Sequence, residues 1–326
     1  MKSIGSICGN IQVSCSEQMG ENSMIDIVQK SIVLIFVIVL GYLLKKIGLF
    51  SRKNDFSTIS KLVLYVTLPS AIITNLNGLR FPTYLLVISV FGFLCNWFYI
   101  LLSKLFGKTN EEKGFMALNI NGYNIGNFAL PFIAYFLEGL PILAISLFDA
   151  GNSVMVLGGN YAVAKNFKEG DAQFDFRSLL KSIVKSPTIV VYFIMVSLSL
   201  LSLDLPSFVI DVAQIVGSAN TFLAMFLIGV ALEFNFETEY LKKISKYLSL
   251  RYIPAILLSI VVMWVPFFAP EVKLGLSTLV LAPVAGSAPI FTDQLNSDLE
   301  LSGQVNSVSI ILSILMITTY LSVLGL

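Results

Sequence analysis

Four asparagines and two glycines fall within nine residues in the run Asn119-Ile-Asn121-Gly122-Tyr-Asn124-Ile-Gly126-Asn127, and Pro131 closes it. A second run, Ala282-Pro283-Val-Ala-Gly286-Ser287-Ala-Pro289, is equally rich in helix breakers. Both lie inside apolar stretches long enough to enter a membrane, yet neither can be a regular helix there. Carboxamides donate and accept hydrogen bonds, and a broken helix frees N–H groups on one side of the break and carbonyls on the other. The N–H end suits a carboxylate and the carbonyl end suits a cation. Such backbone is tolerated at membrane depth only where protein buries it or where it lines a watery cavity. A matched pair of interrupted spans points to the binding site of a secondary transporter. A lone membrane asparagine is ordinarily an interhelical hydrogen bond, but the density here favours a site. The candidate substrate ligands are Asn121, Asn124, Asn127, Pro131, Pro283, Ser287, Pro289 and Asn152.

Depth supports the grouping. At 1.5 Å per residue, Asn124, Pro283 and Asn152 each lie ~15 Å into their own spans, near the middle of a ~30 Å hydrocarbon core. Asp149 lies ~12 Å into its span and three residues before Asn152, so the two share a helix face. An ionised carboxylate in hydrocarbon is costly, so Asp149 should face the site, carry a proton or bind a cation. It is the candidate ion-coupling residue, for H+ or Na+. The competing reading makes it a surface cap on a span that starts later. No arginine or lysine is expected at this depth, so an anion would be held by dipoles and amides. Lys61 reads as a snorkelling side chain.

The elements that position these residues follow from composition. Of 326 residues, 56% are hydrophobic and 13% charged, and the mean hydropathy is +0.83. A soluble domain carries about 25% charged residues, so this is an all-α polytopic membrane protein. The net charge of +1 has its basic residues spread over loops, so no nucleic acid partner is expected. Three cysteines suggest no disulfide framework. Histidine is absent, which removes a His-dependent zinc site, a Ser–His nucleophile and a histidine proton relay. Neither an aspartyl pair nor a Ser–Lys pair is evident, and no Walker-type loop is present. No enzyme activity, cofactor or metal is expected.

Ten candidate spans follow residue 24: 25–44, 56–77, 82–105, 114–137, 141–163, 183–203, 207–233, 246–268, 272–293 and 302–324. Sixteen of the 21 basic residues fall in the loops after spans one, three, five and seven, Arg251 being counted in the last of these. The positive-inside rule therefore places both termini outside the cytoplasm, in the plasma (cell inner) membrane. Residues 1–23 read either as a disordered tail or as residues ahead of a true start at Met24, the latter preferred. Residues 24–163 form a first five-helix repeat, 164–182 a basic cytoplasmic linker, and 183–326 a second repeat. Ile59–Phe81 matches Val212–Phe234 in apolar spacing at a constant offset of 153, and Pro131 matches Pro289 at 158. Five spans per half is odd, so the second repeat is inverted, with broken fourth and ninth helices. Pro69 reads as a kink.

The run Gly41-Tyr-Leu-Leu-Lys-Lys-Ile-Gly48, the run Leu64-Tyr-Val-Thr-Leu-Pro69, the Asn121…Pro131 stretch and the Pro283…Pro289 pair together resemble the auxin efflux carrier family in its bacterial form. The family includes plant auxin carriers of the PIN-formed type and bacterial permeases for malate or malonate. Over residues 24–326 the resemblance implies a ten-helix fold with two crossed, broken helices, the fourth and the ninth, and carrier-mediated transport of a small organic anion. Plant members often carry a long central loop. This chain has about twenty residues there, so regulation through such a loop is not expected. A channel or membrane sensor of the same fold, or a carrier for amino acids, is the competing reading. The lipid bilayer is the one obligatory partner, and a homodimer is compatible with the sequence.

Overall fold

The computed structural model describes residues 3–50, 55–80, 82–170, 185–233 and 238–324, with side chains from residue 25 onward and, in the last stretch, from 240. The side chains of the 1–23 tail and most of the expected linker lie outside the described residues. Every regular element among the described residues is helical. The first helix, α1 (Ser3–Lys46), runs back through the tail, so the backbone there is helical where composition suggested an irregular lead.

Among the described residues, seven helical stretches are long and apolar enough to cross a membrane: Ile25–Lys46 within α1, α2 (Asp55–Leu76), α3 (Thr83–Phe106), α6 (Leu140–Glu169), α8 (Ser207–Ala231), Tyr240–Met263 within α9 (Thr238–Met263), and α12 (Leu299–Val323). A shorter apolar helix, α7 (Pro187–Leu201), lies between α6 and α8. The two expected broken spans are broken. The helix α4 (Asn110–Asn119) stops, and the chain resumes through a π turn at Ile125–Ala129 into α5 (Leu130–Ile133). Likewise α10 (Pro270–Leu279) and α11 (Ala288–Gln294) flank a non-helical stretch.

Local chemistry explains these ends. Thr109 caps α4, its hydroxyl accepting from the Glu112 N–H at 3.1 Å, and Asp298 caps α12 through the Leu301 N–H at 2.9 Å. Pro131 and Pro289 each sit in a first turn, where the missing N–H costs nothing. Gly122 has φ +69°, and a Cβ there would lie 2.7 Å from the Ala285 Cβ, so no other residue fits the first break. Pro69 follows a π turn at Val63–Thr67 that absorbs the expected kink.

One boundary departs from expectation. The helix α9 (Thr238–Met263) begins eight residues before position 246, so Lys242, Lys243 and Lys246 ride on its first turns. Arg251, expected among the loop charges, lies ~16 Å along this helix from Tyr240 and is fully buried.

Packing is tightest at glycines, as in membrane bundles generally. A Cβ on Gly92 would stand 2.2 Å from the Phe148 carbonyl oxygen, and one on Gly151 would stand 1.7 Å from that of Ser89, so α3 and α6 touch backbone to backbone. The same reciprocity joins α1 and α8, through Gly41 against Phe226 (2.4 Å) and Gly229 against Ile38 (2.0 Å). Thr67 and Asn220, which correspond at the 153-residue offset, meet directly: the Thr67 hydroxyl donates to Asn220 Oδ1 at 2.9 Å. The basic loops gather at one end of the bundle. There Lys168 Nζ donates to the Leu295 and Asn296 carbonyls at 2.9 Å, Lys45 to the Leu232 carbonyl, and Lys246 pairs with Glu112 at 2.7 Å. Arg80 pairs with Asp204 at 2.6 Å, joining the loops before α3 and α8.

Candidate functional site

The two breaks meet. The Asn124 N–H donates to the Pro283 carbonyl at 3.0 Å, and the Asn124 carboxamide lies 3.3 Å from where a Cβ on Gly286 would stand. Each non-helical stretch carries buried backbone groups that must be paired. An asparagine on the long helix that follows each break supplies the pairing. On α6, Asn152 accepts from the Tyr123 N–H at 3.1 Å and donates to its carbonyl at 3.0 Å. On α12, Asn306 donates to the Val284 and Ala285 carbonyls at 3.3 and 3.2 Å.

The predicted ligands therefore divide. Asn152 is committed to protein, for it also receives a bond from Asn96 Nδ2 at 3.2 Å and donates one to Asp149 at 3.2 Å. Asn121 is committed likewise, donating to Asn160 Oδ1 at 2.9 Å and accepting from the Gly122 N–H at 2.6 Å. The Ser287 hydroxyl donates to the Val156 carbonyl at 3.2 Å. Pro283 contributes its carbonyl to the crossing, and Pro289 is buried in the first turn of α11. Asn124 differs: it is buried at 7% exposure, yet its carboxamide bonds to no described residue. Asn127 Oδ1 is enclosed with no hydrogen-bond donor among the described residues. Pro131, one turn further on, lines a cavity of about 250 Å³ with Thr74, Asn75, Gln214, Ser218, Asn220 and Thr221. Its lining mixes these hydroxyls and amides with apolar side chains, and none of the described residues that line it is charged.

Asp149 is 4% exposed, which rules out a surface cap. Its Oδ2 accepts from the Tyr192 hydroxyl at 3.2 Å, and its Oδ1 from Asn152 and Ser153 at 3.2 and 3.3 Å. Among the described residues no basic side chain pairs with it.

The expectation that no arginine stands at this depth is overturned by Arg251. Its guanidinium donates to the Ala282 carbonyl at 2.9 Å and to the Ile120 carbonyl at 3.5 Å. It lies 4.1 Å from the ring centre of Tyr123 and 4.6 Å from that of Tyr99. The Tyr99 hydroxyl donates back to the Arg251 carbonyl at 2.9 Å. Tyr123 thus stands between the acid and the base of the site: its backbone is held by Asn152, which bonds Asp149, and its ring faces Arg251. The signal was present in the sequence, since position 251 falls inside the span expected over 246–268, but three lysines just before it made it read as loop. Asn96, Asn160 and Asn306 were missed because they lie on long apolar helices, away from both breaks in the sequence.

A comparison with curated proteins gave no match. A family model described as membrane transport protein matches residues 26–163, which cover α2 to α5, the Asn119–Asn127 run and Asp149. Over residues 26–163, somewhat less than half of its length, the chain is similar to the membrane transport protein family.

Proposed function

We propose that the protein is a secondary active transporter moving a small organic anion, such as a carboxylate, across the plasma membrane by alternating access. The observation that carries this reading is the crossing itself. Two interrupted segments share a hydrogen bond from Asn124 to Pro283, and the Asn124 carboxamide at that point bonds no described residue. In this reading the seven long helices, α7 and the two broken segments make ten crossings as two inverted repeats, with both termini outside the cytoplasm. The Thr67–Asn220 bond at the 153-residue offset and the matching roles of Asn152 and Asn306 support it. The Asn124 and Asn127 amides, with the hydroxyls and amides around the cavity beside Pro131, suit a carboxylate bound by neutral donors. Asp149, buried without a basic partner among the described residues, is the coupling group for a proton or Na+.

Uptake by proteoliposomes of labelled dicarboxylates, monocarboxylates and amino acids tests this. Saturable uptake of an acid that another acid inhibits is expected. Flux that does not saturate would mark a channel, and binding without flux would mark a sensor.

A further inference from the structure

Arg251 poses a problem of charge. It is 0% exposed, and among the described residues no carboxylate pairs with it. A buried cation needs a counter-charge. What it touches instead are two carbonyls, Ile120 and Ala282. Ile120 directly follows α4, and Ala282 lies three residues past α10. These are the C-terminal ends of the two half-helices that enter the crossing, each carrying about −0.5 of a charge from its dipole. Together they offer about −1, which balances one guanidinium. The rings of Tyr99 and Tyr123 complete the enclosure, presenting their negative faces at 4.6 and 4.1 Å.

These carbonyl ends are where a broken-helix carrier would otherwise coordinate an inorganic cation. We propose that Arg251 is a resident cation: a covalently attached substitute that fills a latent cation site at the crossing and keeps Na+ out of it. The proposal rests on the carrier reading for its functional meaning, but the occupancy it describes does not depend on transport. It also makes Arg251 a positioning residue, since one side chain ties both half-helix ends to α9 and fixes the Tyr123 ring beside the break.

The test is thermal unfolding of purified protein in lipid nanodiscs, titrated with NaCl, LiCl or choline chloride at constant ionic strength. An Asp149→Asn background removes the other candidate cation ligand. With Arg251 intact, no Na+- or Li+-specific shift is expected. Arg251→Gln, which keeps hydrogen-bonding capacity but frees the carbonyl ends of the charge, should start with a lower midpoint and regain several degrees in Na+ or Li+ but not in choline. Arg251→Lys keeps the charge and should remain insensitive. A Na+-specific shift with Arg251 intact would overturn the proposal, as would an Arg251→Gln protein that folds and answers to no small cation. The first of these can be read even if Arg251→Gln fails to fold. Because the readout is stability, an absence of uptake for every acid would sink the carrier reading and leave this one standing.

Discussion

Truncating two asparagines of the crossing should separate binding from scaffolding. Asn152→Ala removes the side chain that pairs both the N–H and the carbonyl of Tyr123, at 3.1 and 3.0 Å. Tyr123 is 1% exposed, so water cannot replace the lost partner. Each orphaned buried group costs ~1–3 kcal/mol, so the two backbone groups together cost roughly 2–6 kcal/mol. The lost bonds to Asn96 and Asp149 add to that. Asn124→Ala differs in kind. Its side chain bonds no described residue, so its removal orphans no polar partner and should cost less than the ~1–3 kcal/mol of a single unpaired buried group. If Asn124 holds the substrate, losing that contact costs ~1–3 kcal/mol, or about tenfold to a hundredfold in affinity. Thermal unfolding in nanodiscs and uptake by proteoliposomes, run on the same preparations, read both quantities. Asn152→Ala should unfold markedly earlier, and Asn124→Ala should stay near the wild-type midpoint but transport poorly. Equal destabilisation of the two variants, or normal transport by Asn124→Ala, would refute the division.

Other outcomes follow from the same contacts. Asp149→Asn should abolish concentrative uptake while substrate exchange persists in part; accumulation that stays ion-driven would place the coupling elsewhere. In the wild type, uptake that slows as external pH rises would identify a proton as the coupled ion, and dependence on Na+ at fixed pH would identify a cation bound by Asp149. Single cysteines at Ser51 and Leu326, in a cysteine-free background, should label from the cytoplasmic and the outer side respectively; labelling of Leu326 from the cytoplasm alone would contradict ten crossings. At the end of the bundle that carries the basic loops, burial raises the Glu112 carboxyl, but Lys246 and the Lys108 N–H outweigh it and leave the group below its ordinary value of 4.5. The lowered group stabilises the fold when ionised, so Glu112→Gln should cost about 0.2–1 kcal/mol near neutrality. That difference should shrink as the pH falls below about 4.5.

The breaks were legible because their causes are local. Gly122, Pro131, Pro283 and Pro289 cannot sit inside an unbroken helix without cost, and four asparagines crowded into an apolar run need partners that a lipid-facing helix cannot supply. Asp149 and Asn152 were legible as a pair because three residues on a helix set a shared face, and the 3.2 Å bond between them bears that out. Arg251 was not legible, since a charge after Lys242, Lys243 and Lys246 looks like more loop until the helix is seen to start at Thr238. The support from Asn306 was hidden for another reason. Its partners lie 21 and 22 residues away across a turn and a helix boundary, and no periodicity within one segment records such a contact. The division of the asparagines into committed and free ones depends on which neighbours reach them, which is a property of the assembled bundle.

The reciprocal glycine contacts have a mechanical consequence. Where Gly92 and Gly151 press α3 onto α6, and Gly41 and Gly229 press α1 onto α8, there is no side-chain layer to deform, so neither pair can slide without steric collision. Each behaves as a welded joint. The space lined by Thr74, Gln214, Thr221 and Pro131 lies between α2, α8 and α5, and there the close approach is one-sided: a Cβ on Gly217 of α8 would stand 2.9 Å from the Ala71 backbone nitrogen of α2, while short polar side chains border an open volume beside it. In the alternating-access reading proposed above, compliance concentrates around that open volume, and a bulky residue at Thr221 should act as a wedge in it, locking the protein in one orientation without touching Asn124.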